Sequence, residues 1–353
     1  MTIRRLRLAA LLLAALTTVP ACAASEDAPA DETLAESQEA DLSASDDEES
    51  FAAYDATDED LAKAAPSAPM DYELTLYAIP APRLVGLKWK RPGGLARRTL
   101  ISNGLGLSRS LGHAAVRVSC GGETFQGSMV DTGSEFRDMV LKEKAGLGVL
   151  FRTVPGAVEK AEDLQKTLDE RYQNGRVSFI RFKISPDTCH ALLDYAKAYQ
   201  AAGIGDAYGF VRPLYREGAG CSAFSLAFLE LANLDEARFR QAWGFDVRVP
   251  MSLIGGQDNP GNKVSVFELF FTFRPWAKET EPHKRLIGWD PTLMFTSIRT
   301  WARSGSEPTE KRGRALGIVL DRTSVTPRAE LANRTFWAGN PGAPRDWWGF
   351  GDP

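Results

Sequence analysis

Two residues, His113 and Cys221, are of the types that together form a nucleophile. Cys221 follows Gly218-Ala219-Gly220 and opens the apolar segment CSAFSLAFLELA, which predicts a helix with this thiol in its first turn. Unpaired N–H groups and the helix dipole favour an anion at that position. An adjacent imidazole lowers the pKa of a thiol further, and the resulting thiolate attacks acyl carbonyls.

The elements that must position these groups are a helix for the thiol and a hairpin for the imidazole. His113 begins the alternating segment HAAVRVSC, which predicts a strand, and Gly121-Gly122 predicts a turn into ETFQGSMV. The returning strand passes beside the first, so Gln126, Glu123 and Thr124 compete to accept the second imidazole N–H. We expect Gln126 to do so, as the closest in register if His113 pairs near the far end of its strand; a slip of one residue would move the role to the opposite face.

Each of these residues also has a structural interpretation. His113 could be a structural histidine at a strand edge, and Cys221 could be a buried residue or half of a disulfide. The chain has only three histidines. His190 should point away from the buried face of its helix, and His283 lies in the charged segment KETEPHKRL, so both are predicted to be surface residues.

The four cysteines constrain the pairing only modestly. If Cys22 is lipidated, three thiols remain and one must stay unpaired. All three pairings are open on the sequence. The disulfide that would leave Cys221 free joins Cys120 to Cys189.

The N-terminus carries an export pattern. Arg4, Arg5 and Arg7 precede the apolar run LAALLLAAL and then VPAC, which predicts a signal peptide over residues 1–22. The run is too short to span a bilayer as a helix of about 20 residues. VPAC resembles a lipobox, with Cys22 as the lipidated residue; cleavage after Ala21-Cys22-Ala23 is the alternative. We expect an exported protein, either a membrane-anchored lipoprotein in the periplasm or on the cell surface, or a secreted one.

Residues 23–70 form a strongly acidic segment with 15 acidic residues and one lysine. This composition predicts a disordered tether, or a tail that binds a partner. Removing the signal peptide (+3) and this segment (−14) from the net charge of −4 leaves +7 on residues 71–353. The basic residues form no stripe, so a nucleic-acid partner is not indicated, whereas weak attraction to an anionic surface is allowed.

The remainder divides into a unit at 71–256 and an extension at 257–353. Strands are predicted at DYELTLYAIP and VSFIRFKI, and helices at residues 158–173 and after Ser185-Pro186-Asp187. Alternating strands and helices without a strict βαβ rhythm favour an α+β domain with an antiparallel sheet.

The extension should pack on this domain. VSVFELFFTF predicts a buried strand, and Asp290-Pro291 predicts the start of a helix. The last segment is rich in Trp, Gly and Pro. Its residues Trp337, Trp347 and Trp348 are predicted to form a terminal strap, with a sugar-stacking platform as the alternative.

These features together resemble the circularly permuted NlpC-type cysteine hydrolases, papain-fold proteins related to the lecithin retinol acyltransferase group. GHAAVRV resembles the histidine strand of that family, TFQGS the strand of its third residue, and GAGCSAFSLAFLE its cysteine helix. The match spans roughly residues 72–256. It implies a permuted papain-like fold in which Cys221 is the nucleophile, His113 the general base and Gln126 the orienting residue. This chain differs in a long insertion, about residues 131–174, and in carrying Gln where His or Glu is frequent.

The sequence therefore predicts an exported cysteine hydrolase, of the peptidase or amidase type, that cleaves an amide or ester bond, with a cell-envelope substrate in view. The alternatives are a catalytically inactive envelope-binding lipoprotein of the same fold and a lipid acyltransferase. HExxH and paired CxxC motifs are absent from the sequence, so no metal site is predicted, and no cofactor is implied.

Overall fold

The computed structural model describes residues 56–82, 89, 91–104 and 111–342, without the side chains of residues 98 and 100–104. The predicted signal peptide with Cys22, residues 23–55 of the acidic segment, and Trp347 and Trp348 lie outside the described residues. Within that part of the chain, no helix combines the length and the hydropathy needed to cross a membrane.

The described residues contain twelve strands and ten α-helices. The strands are β1 Ala65–Pro66, β2 Tyr72–Ile79, β3 His113–Cys120, β4 Glu123–Gly127, β5 Met129–Asp131, β6 Thr153–Val158, β7 Ser178–Lys183, β8 Ala207–Gly209, β9 Gly244–Pro250, β10 His283–Trp289, β11 Thr309–Arg312 and β12 Ala315–Asp321. The helices are α1 Asp58–Lys63, α2 Pro92–Gly104, α3 Glu135–Leu141, α4 Ala161–Asn174, α5 Pro186–Ala201, α6 Cys221–Leu231, α7 Ala237–Trp243, α8 Val266–Phe271, α9 Pro291–Ser304 and α10 Ala329–Ala332.

The main sheet has seven strands in the order β1-β11-β12-β7-β2-β3-β4. The β2–β3, β3–β4, β2–β7 and β11–β12 pairs are antiparallel, but β12–β7 and β1–β11 are parallel. The chain is therefore α+β with a mixed sheet, and the prediction of an antiparallel sheet was wrong. Two smaller sheets, β9–β10 and β5-β6-β8, lie beside the main one.

Alternation along the central strands divides the apolar core between two faces of the sheet. Leu74 and Leu76 of β2 face one side, where α5, α6 and α9 pack. Tyr77 and Ile79 of the same strand face the other side, where Leu164 and Leu168 of α4 cover them. Because successive strand residues point to opposite faces, one short strand supplies both cores.

Several predicted elements are present with their predicted caps. Helix α4 covers most of the predicted 158–173 segment and ends at Gly175, which has a φ of 74°. Helix α5 begins after Ser185, whose side chain accepts a hydrogen bond from the N–H of Thr188. Helix α9 begins after Asp290, which caps it in the same way.

The predicted division at residue 256 does not match the sheet. Strands β11 and β12 lie beyond it, yet β12 pairs with β7 and forms part of the main sheet. Strand β7 is buried on both faces, and it lies between β12 on one edge and β2 on the other. Residues 309–321 therefore complete the domain. Of the tryptophans in the predicted strap, Trp337 lies within the described residues, and its ring contacts the ring of Tyr195.

Two further predictions were wrong in detail. The segment VSVFELFFTF contains a six-residue helix, α8, instead of a strand, because Ser265 and Glu268 form a capping box at its start. The acidic segment is not a tether as far as Met70, because α1 and β1 lie within it and Asp60 is ion-paired to Arg303 at 3.0 Å.

Candidate active site

Cys221 is the first residue of α6, and the glycines before it set its position. Gly218 has a φ of +105°, and a Cβ there would lie 2.3 Å from the carbonyl oxygen of Ala207. A Cβ on Gly220 would lie 3.0 Å from the carbonyl oxygen of Gly209. Glycine thus lets this loop pack directly against β8, which carries the thiol to the edge of the smaller sheet.

His113, the first residue of β3, approaches the thiol from the main sheet. Its imidazole hydrogen-bonds the side chain of Cys221. Its Nε2 lies 2.9 Å from Oε2 of Glu159. The structure therefore brings together the two residues that the sequence singled out, 108 positions apart.

The surroundings of Cys221 favour its thiolate. Burial opposes ionisation, since the residue is only 8% exposed. Against this act the hydrogen bond and the positive charge of His113, the backbone N–H of Ala114 and the hydroxyl of Ser222. Together these interactions hold the pKa of Cys221 below its ordinary value.

Tyr208 is a further residue of the site that the sequence did not identify. Its phenol hydrogen-bonds the side chain of Cys221, and the backbone N–H of Cys221 donates to the phenol oxygen. Burial, followed by the negative charges of Cys221 and Asp131, raises the pKa of Tyr208 well above its ordinary value. The phenol therefore keeps its proton at neutral pH and remains a donor beside the sulfur.

Glu159 reaches His113 through the antiparallel pair formed by β5 and β6. Val158, the last residue of β6, pairs with Met129 of β5. The next residue, Glu159, then donates its backbone N–H to the carbonyl of Ser128 at 2.8 Å. The hydroxyl of Ser128 in turn donates to the carbonyl of Ala114. Two hydrogen bonds thus fix the Glu159 backbone next to the residue that follows His113.

Gln126 does not lie at the imidazole. The turn at Gly121-Gly122 pairs Gln126 with Arg117, near the middle of β3. The Gln126 amide donates to the carbonyl of Ala161 at 3.3 Å and to Oε1 of Gln165 at 3.2 Å. Strand β4 ends at Gly127, before the chain reaches the level of His113, so the insertion supplies the carboxylate.

The remaining polar candidates lie elsewhere. Glu123 pairs with Lys197 at 2.7 Å, and Thr124 lies opposite Ser119 at the turn end of the hairpin. His190 is exposed and contacts the ring of Tyr72. His283 is half-buried, with Nδ1 2.7 Å from the carbonyl of Glu281. Among the described residues, no group of three potential ligands is placed to hold a metal ion.

A disulfide joins Cys120 to Cys189, and Cys221 is a free thiol. The bridge connects the end of β3 to the first turn of α5. It thereby links the far end of the strand that begins with His113 to helix α5. The pairing is the one that leaves the candidate nucleophile unbridged.

Replacing Glu159 with Gln should slow alkylation of Cys221 by iodoacetamide at pH 6.5 by about 10²–10⁴-fold. The carboxylate accepts the Nε2 proton of His113, whereas a glutamine amide can present its N–H there and hold the wrong tautomer. Gln126→Ala is the matched control and should alkylate at the wild-type rate. If both variants lost the same fraction of the alkylation rate, the loss could not be attributed to the Glu159 carboxylate. That result would contradict the assignment of Glu159 as the orienting residue.

Comparisons with protein-family models, with curated proteins and with solved structures each found no match to this chain.

Proposed function

We propose that this protein is a cysteine hydrolase of permuted papain-like fold that cleaves an amide or ester bond through an acyl-thioester on Cys221. The observation that supports this most directly is the hydrogen-bonded series Cys221–His113–Glu159. It combines a thiol of lowered pKa, an imidazole and a carboxylate in one place. General-base and nucleophilic catalysis require these three groups in that order.

In the first half-reaction, the thiolate of Cys221 attacks the acyl carbon and the carbonyl oxygen becomes an oxyanion. The Tyr208 phenol, which lies beside the sulfur, is the donor available to it. When the tetrahedral intermediate collapses, the amine or alcohol leaves. The leaving group takes a proton from the imidazolium of His113, and the acyl group stays on sulfur as a thioester.

In the second half-reaction, water attacks the thioester. His113 accepts a proton from that water, and the thiolate of Cys221 leaves as the carboxylic acid product is released. The proton on the imidazole then balances the restored thiolate. Glu159 stays ionised throughout and stabilises the imidazolium that forms in each half-reaction.

We place the reaction outside the cytoplasm, with an acyl compound of the cell envelope as substrate. The N-terminal sequence, with its basic start, apolar run and VPAC, supports export. The Cys120–Cys189 bridge supports it independently, because disulfides persist in oxidising compartments.

The test is the pH dependence of Cys221 alkylation by iodoacetamide, with the adduct assigned by peptide mass. Only the thiolate reacts, so the rate falls as pH drops through the pKa of the thiol. For wild type we expect the midpoint below about 8.5, the value of a free cysteine. His113→Ala removes the hydrogen bond and the charge that lower the pKa and leaves the burial that raises it. Its midpoint should therefore lie above that of free cysteine.

His190→Ala is the matched control, since it removes an exposed histidine on α5 and should leave the midpoint unchanged. A wild-type midpoint at or above that of free cysteine, or one indifferent to His113→Ala, would reject the hydrolase and favour a binding protein that lacks the chemistry.

A further inference from the structure

Three exposed phenylalanines form a surface patch, here called the Phe patch and defined as Phe267, Phe271 and Phe273. They are 65%, 37% and 62% exposed, respectively. Within the described part of the chain, these three are the large apolar residues that are exposed to solvent. The rings of Phe267 and Phe271 lie 4.4 Å apart, centroid to centroid. Their exposure leaves apolar area in water that an ordered surface normally avoids.

The Phe patch has a fixed base. Helix α8 begins with a capping box formed by Ser265 and Glu268, and the next residue, Leu269, is buried. On the other side, the backbone of Thr272 packs on α2 so closely that a Cβ on Gly93 would lie 1.9 Å from its carbonyl oxygen. The backbone is therefore held while the three rings point outward.

Basic residues are frequent in the two segments that carry and support the Phe patch. The guanidinium of Arg97 lies 5.1 Å from the ring centre of Phe273. Residues 91–104 and 261–278 together contain six basic residues and one acidic residue, Glu268. The carboxylate of Glu268 accepts hydrogen bonds from Ser265 in the capping box, so it is oriented toward the helix start. These two segments carry a formal net charge of +5.

We propose that the Phe patch docks on the surface of an anionic phospholipid bilayer. Aromatic rings lie at the level of the headgroups, and each basic residue near an anionic leaflet adds about 1 kcal/mol of attraction. A second copy of this chain fits less well. A symmetric dimer through this face would bring two copies of these net-positive segments together, and like charges across an interface oppose association.

Docking would also fix the candidate active site relative to the bilayer. Leu269 beneath the patch belongs to the same apolar cluster as Phe210, two residues beyond Tyr208. The patch and the end of strand β8, which carries the phenol, are therefore joined by continuous packing. The proposal does not depend on the hydrolase, because it is tested by binding alone.

The test is sedimentation with vesicles, using the full chain with Cys22→Ser so that no lipid can be attached. Two vesicle types are compared: phosphatidylcholine alone, and phosphatidylcholine mixed equally with phosphatidylglycerol. The wild-type background should bind the mixed vesicles at least about tenfold more tightly than the neutral ones, and added salt should remove the difference. Replacing all three phenylalanines with serine should weaken binding to mixed vesicles by at least about tenfold.

Matched variants separate the contributions. Replacing the same three residues with leucine keeps the apolar area, so binding should stay within about threefold of the unchanged patch. Lys263→Gln with Arg274→Gln should weaken binding to the mixed vesicles and leave binding to neutral vesicles unchanged. The midpoint of Cys221 alkylation, unaltered in all variants, confirms that each is folded and keeps this result separate from the hydrolase test.

Equal vesicle binding by the wild-type and triple-serine chains would overturn the proposal, as would the absence of binding to mixed vesicles. A concentration-dependent dimer in light scattering that the triple-serine variant loses, without vesicle binding, would assign the patch to self-association instead.

Discussion

Replacing Cys221 with alanine should abolish turnover of an activated ester such as p-nitrophenyl acetate, and His113→Ala should reduce it by about 10²–10⁴-fold. Alanine removes the atom that carries the acyl group, so no thioester can form. Without the imidazole, the buried thiol loses the partner that favours its ionisation and the group that moves the proton. The measurement is release of p-nitrophenolate, together with the mass of the acetylated chain.

The acetyl group should appear on the peptide that contains Cys221. Cys221→Ser is the second variant, because it keeps the size of the side chain and tests the sulfur itself. His190→Ala again serves as the control and should turn over at the wild-type rate. Acetylation confined to surface lysines, or turnover that persists in Cys221→Ala, would exclude this residue as the nucleophile.

Replacing Arg181 with methionine should lower the free energy of unfolding by about 3–5 kcal/mol. The Arg181 side chain is 1% exposed and pairs with both Glu73 of β2 and Glu310 of β11, the latter at 2.6 Å. Its guanidinium also donates to the carbonyl of Ala68 at 2.7 Å. Methionine fills similar space but leaves two carboxylates without their counter-charge, and an unpaired buried charge is costly.

The measurement is the urea midpoint at unchanged slope, which reports stability without a change in the unfolded state. Lys183→Met on the same strand is the matched control. Its ion pair with Asp321 is exposed, so it should cost less than about 1 kcal/mol. Adding Glu73→Gln to Arg181→Met should recover part of the loss, because it removes one of the two unpaired charges. Equal losses for Arg181→Met and Lys183→Met would show that the buried ion pairs of Arg181 contribute no more to the free energy of unfolding than an exposed ion pair.

The sequence identifies the nucleophile and the base because each begins an element with a strong local signal. Cys221 follows two glycines and precedes a continuous apolar helix, and His113 begins an alternating segment of eight residues. The identity of the third residue, which orients the imidazole, depends on the register of the strands and not on a local sequence pattern. With a two-residue turn at 121–122, the strand register places residue 130 opposite His113. Gln126 is therefore too near the turn to lie beside the imidazole.

Glu159 could not be found in this way. It follows a strand of the insertion that pairs with β5, and its distance from His113 depends on two separate antiparallel strand pairs. Tyr208 was visible in the segment GDAYGF before the cysteine. Its role as a hydrogen-bond partner of the thiol was not visible, because that role depends on how closely the glycine loop before Cys221 approaches β8. Non-local contacts of this kind carry no periodic signal in the sequence.

The same distinction holds for the fold. Helices with caps, such as α5 and α9, were predicted because caps are local. The position of β12 was not, since nothing in ALGIVLD states which strand it will join. The segment VSVFELFFTF misled because its apolar residues suggest burial, whereas three of its phenylalanines face solvent.

The position of β12 has a consequence for the newly made chain. The thiol and the imidazole are synthesised long before Asp321, the last residue of the strand that lies between β11 and β7. Until that strand is in place, β7 has an open edge and the layers behind the thiol are incomplete. A ribosome-bound or prematurely terminated chain would therefore contain both reactive groups without the sheet that holds them together. The thiol of Cys221 should become nucleophilic only after the residues up to the end of β12 have been synthesised.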